Sequence, residues 1–300
     1  MSFALNIIAK STIILVTAAV LCLLLRRASA ASRHAVWVLA VMSALLLPIA
    51  TAILPQLQLP VLPQAHTSVR LIPMTFQAAI TTTGQSAKPL FPYSAWELLA
   101  FVWGAGLALL LLRLLICASR LALLAKSATS LRDETWGEML LELSHRMGHR
   151  KPVRLLFSAA DVSPMTWGVW RHTVLMPAQA NEWPLERKRL VLAHELAHVK
   201  RSDGILHLFV QLACGIYWFN PLIWYAARSA QTERERACDD RVLNLGAAAE
   251  DYADHLVQIV RGLQARKSPS FAALAMAQPS QLESRLVSIL DGRTRRRELS

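Results

Sequence analysis

The sequence predicts a mainly α membrane protein: three transmembrane helices followed by an α+β domain with a re-entrant helical hairpin. Composition and apolar run length predict the membrane part, and one Asn-Pro pair predicts the hairpin. The chain is 54% hydrophobic and only 17% charged, with a mean hydropathy of +0.35. A soluble domain carries roughly 25% charged residues. The apolar surplus is gathered into runs long enough to cross a bilayer, for which about 20 residues suffice.

These runs are residues 3–25, charged only at Lys10; residues 35–54, without charge; and residues 98–119, with Arg113 near one end. The first is a retained span. Ala28-Ser29-Ala30 resembles a cleavage site, but the basic pair Arg26-Arg27 follows the apolar run, and a signal peptide carries its positive charge before that run.

The net charge of +12 comes without a nucleic-acid-binding motif, so direct contact with nucleic acid is not expected. The excess is instead the Lys and Arg that mark cytoplasmic segments. Arg26, Arg27 and Arg33 lie between the first two runs, and Arg120, Lys126 and Arg132 follow the third, whereas residues 55–94 hold only Arg70 and Lys88. This bias puts the N-terminus and the 55–94 loop outside a bacterial-type inner membrane and everything from residue 120 inside. Three units follow: a membrane domain (1–119), a cytoplasmic domain (120–263), and a cytoplasmic linker and basic tail (264–300). Arg293–Arg297 in that tail reads as a juxtamembrane patch attracted to anionic lipid. The cysteines, Cys22, Cys117, Cys214 and Cys238, contain no C-x-x-C pair, which implies neither a disulfide framework nor thiolate metal ligation.

Within the cytoplasmic domain, residues 133–147 read as an amphipathic helix with Trp136, Leu140, Leu143 and Met147 on one face and Gly148 as its stop. Residues 153–158 and 166–177 read as strands, the second a hairpin turning near Gly168. Pro184 opens a helix that runs to about Ser202. On that helix stands His194-Glu195-Leu196-Ala197-His198. Imidazoles four residues apart share a helix face and can bind one zinc ion together. Glu195, beside the first of them, can take the proton of a water polarised there. The surrounding run LVLAHELAHV is too apolar for a solvated face.

A catalytic zinc needs a third protein ligand, and the motif's extended form fails because position 204 is Gly. Downstream, Glu235 has an acid four residues on, Asp239, able to brace a ligand histidine. Glu233 has Ala237 there instead. Glu235 is therefore the expected third ligand, which makes the domain an α+β zincin of the glutamate type. An ordinary i,i+4 paired helix surface is the plain alternative for these two acids.

This choice constrains topology. If residues 205–227 crossed the bilayer, ~30 Å of hydrocarbon would separate Glu235 from the two histidines. Asn220-Pro221 splits the run into pieces too short to span, so 205–227 is expected to dip into the membrane and return, with Trp218 and Trp224 near the interface. His145 and His149 read as a solvated helix end, and His207 as an interfacial residue.

The runs VLAHELAHVKRSD, YWFNPLIW and ERERACDDRVL together resemble the BlaR/MecR family of integral-membrane zinc peptidases, which includes the β-lactam sensor-transducers that signal by proteolysis. The resemblance extends to LAMAQPSQLESRLVSIL and implies Zn2+ on His194, His198 and Glu235, with Glu195 as base. It implies regulatory cleavage of a protein or peptide substrate, such as a transcriptional repressor, or of the chain itself. Ser270-Phe271, after Lys267, is the expected self-cleavage point. The sequence departs from the β-lactam receptors in holding no S-x-x-K acylation motif, so the penicillin-binding sensor is expected to be missing. The lipid bilayer and a second copy of the chain, as a homodimer, complete the expected partners. Two other readings stand beside this one: a general quality-control or CAAX-like membrane protease, and a non-catalytic receptor with a structural zinc. An extended substrate is expected to pair with an edge of the 166–177 strand, along Thr173–Met176.

Overall fold

Apolar length decides the first half of the fold. The computed structural model describes residues 2–53, 94–130, 133–149, 151–160, 162–265, 279–291 and 296. Helices α1 (Ser2–Leu24), α2 (Ala30–Ile53) and α3 (Ala95–Ser127) are each long and apolar enough to cross a membrane. A single 3-10 turn joins α1 to α2, and the two pack through Leu15, Ala18, Trp37, Val41 and Ala44. Helix α3 opens on a capping box: the Ser94 side chain accepts the Glu97 N–H at 3.3 Å and the Glu97 carboxylate accepts the Ser94 N–H at 2.7 Å. None of its residues is buried, as a lipid-facing helix allows. At 33 residues it is ~50 Å long, so it outruns both the expected 98–119 span and the ~30 Å hydrocarbon core.

The second half mixes helices with a small sheet. Asp133 caps α4 (Glu134–Arg146), which buries Trp136, Met139 and Leu143 at the expected period. Strands β1 (Val153–Ser158), β2 (Met165–Trp167) and β3 (His172–Pro177) are ordered β1-β3-β2, with β3 parallel to β1 and antiparallel to β2. The β2–β3 hairpin turns at Gly168, whose φ of +106° is a glycine conformation and where a Cβ would strike the Arg171 carbonyl. One expectation fails here. Thr173–Met176 lies in the central strand and is buried throughout, with Thr173–Leu175 paired on both sides and Met176 paired to β1, so it offers no edge. Its unbroken apolar run is what a fully covered strand requires; the edge of the 166–177 hairpin is β2.

Helix α5 (Leu185–Arg201) carries the HExxH motif and packs Leu190, Leu192, Leu196 and Val199 against Trp136, Leu143, Val174 and Met176. It ends at Ser202, the one non-glycine residue with positive φ (56°) among those described. That left-handed turn sends the chain directly into α6 (Asp203–Ile216), and α7 (Pro221–Asn244) follows. Helix α6, with 14 residues, is ~21 Å long and falls short of a span. The Asn220 side chain accepts the Leu222 N–H at 3.0 Å and Pro221 takes the first helical position, so the pair starts a new helix as well as ending the old one.

The turn between α6 and α7 lies deep beside the apolar helices. Tyr217 donates to the Ala44 carbonyl of α2 (2.7 Å), Trp103 of α3 donates to the Ile216 carbonyl (2.9 Å), and Trp218 donates to the Trp103 carbonyl (3.3 Å). Gly106 leaves room for the Trp218 ring, which any Cβ there would strike. Helix α7 then returns along α2 until Glu233 meets Arg33 at 2.7 Å. Helices α8 (Ala249–Ala265) and α9 (Pro279–Leu290) add Tyr252, Ala253, Leu256 and Ile289 to the core around α5. The 55–94 loop up to residue 93, and Ser270 and Phe271, lie outside the described residues.

Burial sets one pH dependence in this domain. Asp240 of α7 is pushed up to about 6 by desolvation, against the partial pull of Arg296. A carboxyl whose folded pKa exceeds its unfolded value stabilises the fold fully below the unfolded value, ~3.9, and loses that contribution as pH rises through 6. Asp240→Asn is therefore expected to raise the melting temperature at pH 7.5 and to leave it unchanged at pH 3.5. Equal melting of the two proteins at pH 7.5 would remove the burial effect.

Candidate active site

A helix puts residues four apart on one face, so α5 turns His194 and His198 the same way, and their rings lie 5.0 Å apart. The returning α7 brings Glu235 to them: its Oε2 is 3.5 Å from His194 Nε2 and 3.8 Å from His198 Nε2. One donor atom from each of the three side chains falls within 4.8 Å of the others.

Both imidazoles are oriented through their other nitrogen. His198 Nδ1 lies 2.8 Å from Asp203 Oδ2, and His194 Nδ1 lies 3.2 Å from Asp239 Oδ1 and 3.0 Å from the Tyr252 hydroxyl. Tyr252 donates to Asp239 at 2.7 Å, and Arg285 donates to both Asp239 oxygens at 2.8 and 2.7 Å. Histidines that ligate metals are commonly fixed in this way, with Nδ1–H on a carboxylate and Nε2 left for the ion. Two imidazoles and one carboxylate form a donor set that suits zinc. The site also favours positive charge. Burial would lower the His194 pKa, but the Asp239 and Glu235 carboxylates outweigh it and carry it up to about 9. Burial would raise Glu235, yet His198, the hydrogen bond from His194, Arg234 and Arg285 hold it well below the usual carboxylate range. The donor set and its charges fit a divalent metal.

Among the described residues a second group, His198, Asp203 and Cys238, has ligand spacing. Burial and the nearby Asp203 push the Cys238 thiol well up, so it stays protonated and is a poor ligand. It also shares the Nδ1 side of His198, where its sulfur lies 3.3 Å away.

Glu195 is buried, and its Oε2 accepts a 2.6 Å hydrogen bond from Thr166 of β2. It faces a cleft of about 310 Å3, lined also by Met165, Thr166, His198, Glu235 and Arg285. The expected residues His194, Glu195, His198, Glu235 and Asp239 thus converge. Sequence reading missed Thr166, Asp203, Tyr252 and Arg285. Only Asp203 carried a local signal, as the acid five residues beyond the second histidine. His149 rests edge-on against the His172 ring and joins no metal group with His145 among the described residues.

The profile of the family described as BlaR1 peptidase M56 matches residues 2–289. The chain belongs to that family. Its relatives include the regulatory protein BlaR1 of Bacillus licheniformis, 32% identical over 142 residues, which are 47% of this chain and 24% of that protein. The methicillin resistance mecR1 proteins of Staphylococcus aureus and Staphylococcus epidermidis are each 27% identical over 150 residues, 49% of this chain and 25% of theirs. The matched stretch is thus about a quarter of the length of these curated relatives. Membership of M56 suggests a metallopeptidase, and three apolar helices agree with a membrane protein.

The Asp203 contact yields a direct expectation. Asp203→Ala frees the Nδ1 side of His198 and should weaken zinc affinity by roughly 10–100-fold, read by competition with a chromophoric chelator. Unchanged affinity would show that Asp203 does not orient His198.

Proposed function

We propose that this M56 member is an integral-membrane zinc endopeptidase that acts at the cytoplasmic face of an inner membrane in regulatory proteolysis. Its substrate would be a cytoplasmic protein, such as a transcriptional repressor, or the chain itself. The observation that carries the reading is the convergence of His194, His198 and Glu235 on one point beside Glu195. His194, His198 and Glu235 would hold the ion. Bound there, zinc would supply Lewis acidity toward water and the scissile carbonyl. Glu195 takes the proton of the attacking water and passes it to the leaving amine. Thr166 keeps the Glu195 carboxylate pointed into the cleft, while Asp203 and Asp239 keep the two rings in place. Because β2 lines that cleft and is the sheet edge beside it, an extended substrate pairs along Met165–Trp167. The relatives, a regulatory protein and methicillin resistance proteins, favour a regulatory role over general turnover.

The proposed division is a membrane domain (1–119), a peptidase domain (120–263) and a cytoplasmic linker and tail (264–300). The α6–α7 hairpin enters and leaves the membrane on the same side. Contacts at both ends support this: Tyr217 lies beside Ala44, about 21 Å along α2 from Ala30, and Glu233 is back at Arg33.

Membrane proteomics of cells carrying the wild-type chain or Glu195→Ala tests the activity. The expected result is a small set of cleaved cytoplasmic termini present only with the wild type; identical terminal peptides in both would sink the peptidase reading. Single cysteines at Leu245 and Arg295, in a chain without native cysteines, are expected to be shielded from impermeant outside reagent, unlike one in the 55–94 loop. Outside labelling of position 245 in a chain that binds zinc would overturn the hairpin placement.

A further inference from the structure

A second cavity, of about 710 Å3, lies where α2, α5 and α7 meet and shares no lining residue with the catalytic cleft. Its two walls differ in chemistry. One is the start of α2, where Ala31, Ala35, Val38 and Leu39 supply an apolar surface beside His34, and Leu39 is 66% exposed. The other is cationic: Lys200 and Arg201 end α5, Arg241 comes from α7, and Arg296 closes the far end. A single carboxylate, Asp240, faces these four cations, and burial favours its neutral form.

Depth along the membrane axis matches the same division. Leu39 lies eight positions beyond Ala31, or about 12 Å of helix, enough to pass from the ~6 Å headgroup layer into the hydrocarbon. With α2 crossing the bilayer from its first turn, as under the proposed topology, the cations would sit at headgroup level and the apolar wall would run inward from them. The donors of Lys200 and Arg296 are only partly used. Lys200 gives one N–H to the Gly148 carbonyl at 2.9 Å and has three to give. Arg296 donates through Nη2 to the Ile289 carbonyl, while its buried Nε has no hydrogen-bond partner and stands 3.6 Å from Asp240.

We propose that this cavity binds one anionic phospholipid, its phosphate held by Lys200 and Arg296 and its acyl chains lying along Ala35, Val38 and Leu39 of α2. A free phosphate has no use for the apolar wall, and a soluble acidic peptide has no reason to meet a span. The site stands apart from the catalytic groups and does not depend on the peptidase reading. It does touch them at one point, because Arg201 joins His34 at 2.8 Å to Asp203 at 3.3 Å, and Asp203 holds His198.

The test uses the full chain in detergent, with native mass spectrometry after addition of phosphatidylglycerol or phosphatidylcholine at equal concentration. Phosphatidylglycerol is expected to bind about tenfold more tightly, and Lys200→Gln/Arg296→Gln to remove that preference. Lys151→Gln/Arg154→Gln, which deletes two exposed cations outside the cavity, is expected to keep it. Ala35→Phe, which fills the apolar wall without touching a charge, is expected to lower phosphatidylglycerol binding by itself and decides the matter if the double variant does not fold. Equal binding of the two lipids, equal loss in the Lys151/Arg154 control, unchanged binding in Ala35→Phe, or displacement of phosphatidylglycerol by millimolar inorganic phosphate would each overturn the proposal.

Discussion

Replacing Glu195 with Gln is expected to slow peptide-bond hydrolysis by about a hundred- to ten-thousand-fold, the usual share of a general acid–base group, with zinc content unchanged. The side chain keeps its size, so the cleft and the α5 packing survive. It loses its negative charge, and the Thr166 hydroxyl that donates to it at 2.6 Å can donate to the amide oxygen just as well. The proton acceptor is gone while the three ligand candidates remain. His194→Ala, His198→Ala and Glu235→Ala are expected to behave differently, losing metal and activity together. Elemental analysis of the purified variants alongside turnover of a peptide library separates the two classes. A Glu195→Gln chain that keeps wild-type turnover would remove Glu195 from the chemistry; one that loses its metal would make Glu195 part of the metal shell.

The parts of this structure written in local spacing were legible beforehand. The spans follow from run length. His194 and His198 follow from helical period, and Glu235 with Asp239 from the same period applied a second time. Asn220-Pro221 marked the break between α6 and α7 because a proline after an asparagine ends one helix and caps the next. What escaped depends on chain directions, which spacing encodes for none of these residues but Asp203, and there only as a nearby acid. Asp203 reaches His198 because Ser202 adopts a left-handed conformation (φ 56°), which nothing in KRSD announces. Thr166, Tyr252 and Arg285 arrive at the site from β2, α8 and α9, separated from the motif by 28 residues or more. The sheet edge was misread for a related reason. Both halves of the hairpin are apolar, and only the pairing order shows that β3 is central and β2 is the edge.

The sequence argument that set Glu233 aside as a ligand also has a structural counterpart. Two residues along a helix is a rotation of about 200°, so Glu233 faces away from Glu235 and toward α2. There it receives Arg33 through Nε at 2.9 Å and Nη2 at 2.7 Å, and Arg236 at 2.8 Å. Arg33 is anchored in turn by the Ala28 carbonyl at 2.5 Å, and Arg236 by Ser284 of α9 at 2.7 Å. The Arg33 and Glu233 side chains are only 10% and 11% exposed, so each depends on the other for its solvation. Glu233→Ala is expected to destabilise the chain by about 3–5 kcal/mol, because it strands a buried guanidinium. The double replacement Arg33→Met/Glu233→Met removes both charges at similar volume and is expected to fall within about 1–2 kcal/mol of the wild type. The same pair fixes the register of α7 against α2, and α7 carries Glu235, so the single variant should lose zinc at temperatures where the double variant keeps it. Denaturant titrations in detergent, followed by tryptophan fluorescence with zinc release read in parallel, distinguish the two. A double variant as unstable as Glu233→Ala would mean that the ion pair itself, and not the cost of an orphaned charge, holds α7 to the membrane helices.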